Sequence, residues 1–150
     1  MKRKLFSVLL AASMVCSMAA SAVTVHAEAE TIRIGFFAPV SAASAAADGQ
    51  SAQQSAELAV KLLNDAGGID GKLVELVDYD DGLDTTEAAN IAEKLSTVDD
   101  VVAIVSGSYS GPTKVAAPIL QDAGKLLVSA YAVHPDVVNA GDMVFSQSFP

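Results

Sequence analysis

Apolar positions in this chain follow two rhythms. Short, nearly unbroken apolar runs at residues 31–37 (TIRIGFF), 72–79 (KLVELVDY), 101–105 (VVAIV), 125–130 and 143–149 alternate with stretches where apolar residues return at helical spacing. The runs lack the in–out alternation of half-exposed strands, so they predict strands buried on both faces. Between the first two, residues 50–66 set Ala52, Ala56, Ala59, Val60 and Leu63 on one face of a predicted helix. A second helix, capped by Thr85 or Thr86, turns Ala88, Ala89, Ile91, Ala92 and Leu95 inward. A third is predicted from just after Gly111 to Ala123, with Gly124 ending it.

Turn residues punctuate the pattern where it changes. Gly67-Gly68 stops the first helix, Ile69-Asp70-Gly71 turns the chain, and Asp80-Asp81-Gly82 closes the second strand. Pro118 falls inside the third helix, where a proline removes a hydrogen bond, and predicts a kink or a late start. Strictly alternating strands and helices mean an α/β fold: a doubly wound parallel sheet with helices on both faces and right-handed crossovers. Such sheets bind ligands at the carboxyl ends of their strands, near a reversal in strand order. Three loops belong to that edge: residues 38–49, 106–111 and 131–135.

The middle loop carries the strongest chemical signal. Ser106-Gly107-Ser108-Tyr109-Ser110-Gly111 separates a buried-looking strand from a helix that opens with Pro112 and Thr113. First-turn N–H groups lack partners within the helix, and the helix dipole adds partial positive charge there, so this is a place to hold an anion. Ser110 has two readings: it caps its own helix, or it turns its hydroxyl outward to a ligand carboxylate.

The N-terminus changes the picture of location. Met1-Lys2-Arg3-Lys4 is followed by an alanine-rich apolar segment and the small-x-small site Val25-His26-Ala27, so residues 1–27 read as a cleaved export signal. Cys16 follows Ser13-Met14-Val15, a poor match to a lipoprotein signal. It is also the single cysteine, so the mature segment, residues 28–150, holds none and does not rest on disulfides. Loss of Lys2, Arg3 and Lys4 moves the net charge from −9 to −12, which disfavours nucleic acid and anionic membrane surfaces as partners.

Catalytic and metal motifs fail one by one. Gly107-Ser108-Tyr109-Ser110-Gly111 has tyrosine where a nucleophile elbow needs serine. His134 is the only mature histidine and shows no fixed partner, so it reads as a turn residue before Pro135. Glycine-rich nucleotide motifs are absent. A calcium loop starting at Asp78 would need glycine and glutamate where Leu83 and Ala89 stand, so the acidic turn reads as solvated. No metal and no cofactor is expected.

Several separate stretches agree with one family. These are IRIGFFAPVS, LNDAGGIDG, VDYDDGLDTTEAA, SGSYSGPTKVAAPILQDAG, LLVSAYAVHP and the closing VFSQSF. Together they resemble the N-terminal lobe of branched-chain amino acid binding proteins of ABC transporters, in the type I periplasmic-binding fold. The resemblance implies a two-lobed, non-catalytic receptor that closes on a small-molecule ligand and docks on an ABC permease, in the periplasm or at the cell surface. It further implies that Ser110 takes the ligand carboxylate with help from Ser108, Tyr109 and Gly111. Tyr131 and Val133 fall where the family holds the ligand's amino acid head. Val133 stands where the family has threonine, so one hydroxyl is missing. Asp48 lies near the place of the family's first-loop aromatic residue; Tyr109 or Tyr131 is a candidate replacement wall. A ligand-sensing module for a membrane receptor, and an α/β enzyme, remain alternatives.

Overall fold

The computed structural model describes residues 31–148; the export signal and the end of the last predicted strand lie outside them. Five strands alternate with four helices in chain order: β1 (Ile32–Ala38), α1 (Ala46–Asp65), β2 (Val74–Asp80), α2 (Thr85–Thr97), β3 (Ala103–Ser106), α3 (Ser110–Asp122), β4 (Leu126–Ser129), α4 (Pro135–Val138) and β5 (Val144–Ser146). All strand pairs are parallel, and the sheet order is β2-β1-β3-β4-β5. The doubly wound fold expected from the apolar rhythm is the observed one. The order reverses between β1 and β3, and the loops after these two strands flank the crevice at that reversal.

The pleat divides β1 between two unlike faces. Phe37 joins Ile91, Leu95, Ile104, Leu120 and Leu127 in a sealed core under α2 and α3. Fully burying a side chain of this kind stabilises by about 1.5–3 kcal/mol, so this face dominates stability. Gly35 belongs to the same face, where an added Cβ would lie 2.9 Å from the Leu95 side chain. Ile34 and Phe36 instead face α1, where they line an open apolar groove of about 610 Å³ with Ala56, Val60, Leu76 and Val105. The predicted inner face of α1 is correspondingly less buried than expected: Ala59 and Leu63 are exposed, and Gly49 alone is fully buried.

Several boundaries differ from expectation for identifiable reasons. α1 begins four residues early, at Ala46, because Gly49 lets the first turn press against the end of β1; a Cβ there would sit 2.6 Å from the Pro39 carbonyl. α2 is capped by Asp84, not by Thr85 or Thr86: its carboxylate accepts the Thr86 and Glu87 N–H groups. β3 starts at Ala103, just after the Val102 N–H ties the chain to the Arg33 carbonyl of β1. α3 neither starts late nor stops at Pro118, which is exposed within a continuous helix. The Gly67-Gly68 stop is present, with positive φ at both residues and Gly68 N–H closing on the Leu63 carbonyl. Asn64 then clamps β2 by exchanging two 2.8 Å hydrogen bonds with the Val74 backbone.

Candidate functional site at the carboxyl edge of the sheet

The start of α3 is left open by its own sequence. Its N-cap residue is Tyr109, in extended conformation, with no side-chain capping bond and no acidic residue in the first turn. Ser110 and Gly111 therefore present N–H groups with no acceptor inside the helix, and Pro112 has none to present. α2, by contrast, satisfies its first turn with Asp84. Gly111 is exposed, and the nearest atom to an added Cβ would be Thr85 Cγ2 at 3.9 Å, so the approach to this helix end is open.

Ser110 does not cap its helix; it bridges two loops. Its Oγ accepts the Val133 N–H at 3.1 Å and the His134 N–H at 3.2 Å. A hydroxyl has two acceptor lone pairs and one donor proton. With both lone pairs engaged, Ser110 keeps only its donor function, which suits an acceptor such as a carboxylate oxygen. The same bonds settle Val133: its side chain is 48% exposed at the edge, but its N–H is already taken. A ligand head therefore finds at Val133 neither a hydroxyl nor a free N–H.

Ser108, grouped with the site residues on sequence, is misplaced for that role. It is fully buried beneath the loop, its N–H donates to Ser106 Oγ, and its own Oγ has no partner. Ser106 and Thr113 share a buried 2.7 Å hydroxyl contact that pins β3 to α3 under the same loop. Beside Ser108 lies Asp81, also fully buried, which corrects the reading of a solvated acidic turn. Asp81 Oδ1 accepts the Leu83 N–H at 2.8 Å, while Oδ2 is unpaired. Burial pushes this carboxyl above the ordinary aspartate value; the neighbouring Ser108 hydroxyl and the Leu83 N–H pull it back, and Asp80 and Asp84 push it further up. Asp80 goes the other way: hydrogen bonds from Ser41, Gly82 and Val40 outweigh its burial and lower it.

The two candidates for an aromatic wall, Tyr109 and Tyr131, lie side by side at this edge. Tyr109 and Tyr131 stack with centroids 6.1 Å apart and planes 28° from parallel. The Tyr109 hydroxyl donates to Asp48 in the first turn of α1. That hydrogen bond raises the Tyr109 pKa, with burial and the charge of Asp48 adding to it. His134 is more than a turn residue: it caps α4, accepting the Asp136 N–H on Nδ1 at 3.2 Å. Among the described residues no group of three or more metal-ligating side chains gathers, and no helix is long and apolar enough to cross a membrane.

This arrangement matches known proteins in sequence and in shape. A family described as periplasmic binding protein matches residues 31–149. The leucine-, isoleucine-, valine-, threonine- and alanine-binding protein of Pseudomonas aeruginosa is 34% identical over 114 residues, 75% of this chain and 30% of that one. The leucine-specific-binding protein of Salmonella typhimurium is 32% identical over 142 residues, covering 94% and 36%. Among solved structures, the branched-chain amino acid transporter substrate binding protein of Streptococcus pneumoniae, in complex with isoleucine, superposes with a TM-score of 0.76. Its identity is 39%, over 80% of this chain and 34% of that one. The chain thus spans about a third of the length of these relatives. With its sheet topology, its open α3 terminus and this match over nearly all described residues, the chain belongs to the periplasmic binding protein family.

Proposed function

We propose that this chain is the ligand-capturing first lobe of a non-catalytic substrate-binding protein that serves an ABC importer. It is exported through residues 1–27 and works in the periplasm or at the cell surface, delivering its ligand to a membrane permease. The ligand is a small solute with a carboxylate, an amino acid by default. The observation that carries this reading is Ser110: a hydroxyl left with only its proton to give, at a helix start whose N–H groups have no cap. The amino acids in the names of the relatives support the same ligand class. So does the isoleucine held by the Streptococcus pneumoniae protein.

A thermal-shift titration of the full-length mature protein against leucine, isoleucine, valine, threonine and alanine tests it. A ligand that binds only the folded state stabilises by about 2.7 kcal/mol at a hundredfold excess over its dissociation constant. At least one of these amino acids, or a related one, should raise the melting temperature. Failure of every carboxylate-bearing solute to do so would overturn the reading.

A further inference from the structure

Asp48 in the first turn of α1, Tyr109 in the loop after β3 and Tyr131 in the loop after β4 form one connected cluster at the rim of the crevice. Tyr109 is 36% and Tyr131 39% exposed, so two ring surfaces stay wet. The hydrogen bond to Asp48 fixes the tip of Tyr109 and the stack fixes its ring, which removes the freedom a bound group would otherwise have to freeze. Asp48 is exposed and makes no ion pair among the described residues. Its carboxylate can accept about four hydrogen bonds, and the Tyr109 hydroxyl supplies one. A carboxylate at the edge of stacked aromatic rings is the chemistry that holds a cation: the rings attract it through their negative faces and the carboxylate supplies the opposite charge.

Position decides which cation. Ser110 and Gly111 mark the carboxylate end of the crevice, whereas Asp48 is reached from the neighbouring residue only across the whole Tyr109 side chain. An α-ammonium group stays one carbon from the carboxylate, whereas a group at the far end of a straight side chain can reach the tip of Tyr109, where Asp48 sits. An aliphatic ligand would leave Asp48 with the Tyr109 hydroxyl but no opposite charge once a second lobe covered the crevice, and a buried charge that is not neutralised is costly. Resting on the carboxylate-binding function proposed above, we infer that Asp48, Tyr109 and Tyr131 form a second recognition point that takes a distal ammonium or guanidinium group. The ligand class is then a carboxylate with a basic far end, such as a basic amino acid.

Calorimetry on the full-length mature protein with L-lysine and L-norleucine, which differ by the distal amino group, tests the inference. Lysine should bind at least tenfold more tightly, and Asp48→Asn should abolish that preference while leaving norleucine affinity within about twofold. Tyr131→Leu should reduce the preference in the same direction. The unliganded melting temperature of each variant, and the ultraviolet titration of Tyr109, which should move down in Asp48→Asn, show that the fold and the contact are as described. Norleucine equal to or tighter than lysine overturns the inference and leaves the carboxylate reading standing. Equal losses for both ligands in Asp48→Asn also overturn it. Binding of neither lysine, norleucine, leucine nor hexanoate overturns both.

Discussion

The Val133 N–H donates to Ser110 Oγ over 3.1 Å, so a backbone group of the loop after β4 is held by the first residue of α3. His134 donates to the same oxygen at 3.2 Å, and the two bonds lock two of the three loops at the ligand edge to one another. Ser110→Ala removes that acceptor together with the hydroxyl proposed to donate to the ligand carboxylate. A hydrogen bond to a charged group contributes about 1.5–3 kcal/mol, so ligand dissociation constants should rise roughly 10- to 100-fold. Ser110→Thr, which keeps the hydroxyl, should retain most of the affinity. Hydrogen exchange at the Val133 and His134 amides should speed up in the alanine variant and not in the threonine one.

Asp81 gives the lobe a pH dependence of unusual sign for a carboxylate. Because its pKa is raised in the folded chain, the native state holds more protons than the unfolded chain between the ordinary value of 3.8 and the raised one. Its contribution is therefore most favourable below 3.8, is lost as pH climbs through the raised value, and stays flat above it. Asp81→Asn should be at least as stable as the parent at neutral pH, with the advantage shrinking as pH falls towards 3.8. Its amide can keep the Leu83 bond and donate towards Ser108 as well. Asp81→Ala leaves the Leu83 N–H without its partner and should cost about 1–3 kcal/mol at low pH, and less as pH climbs through the raised value. Urea melts across pH 3–7 distinguish these outcomes.

Gly49→Ala should destabilise although it raises helix propensity. The new methyl carbon would lie 2.6 Å from the Pro39 carbonyl and 2.9 Å from the Val40 nitrogen, and neither backbone atom can move without disturbing the end of β1. Overpacking of this kind costs about 1–3 kcal/mol. Gly107→Ala meets Phe36 Cζ at 2.7 Å and Ala52 Cβ at 2.8 Å, so it should displace the ligand loop and weaken binding as well as lower the urea midpoint.

The two faces of the sheet should respond differently to the same substitution. Leu95 of α2 is fully buried in the core against β1, and Leu95→Ala should cost about 2–5 kcal/mol. Leu62 is 59% exposed on α1, and Leu62→Ala should fall within about 0.5 kcal/mol of the parent. Comparable losses at both positions would mean that α1 is far better covered in solution.

The alternation of strands and helices was legible because parallel strands buried on both faces must be apolar throughout, and their crossover helices must be amphipathic. The start of α3 next to the glycine- and hydroxyl-rich loop was legible too, since strand, glycines, hydroxyls and helix follow one another along the chain. What sequence reading missed depends on residues distant in sequence. Nothing local says that Ser110 will take N–H groups from residues 133 and 134, or that Asp48 will meet Tyr109. The burial of Asp81 was hidden for a related reason: an acidic turn is solvated unless another loop, here the one carrying Ser108, closes over it. Asp84 was passed over as the cap of α2 because two threonines directly after it offered the same chemistry.

The strand order β2-β1-β3-β4-β5 bears on how such a chain assembles when it is delivered one end first, through a ribosome tunnel or an export pore. β2 joins one side of β1, β3 the other, and β4 and β5 add outward beyond β3. No arriving strand has to be threaded between two already paired, so each βα unit completes an edge for the next. The edge left behind at β2 carries Glu75, Asp78 and Asp80, charges that discourage another chain from pairing with it while the rest is still arriving.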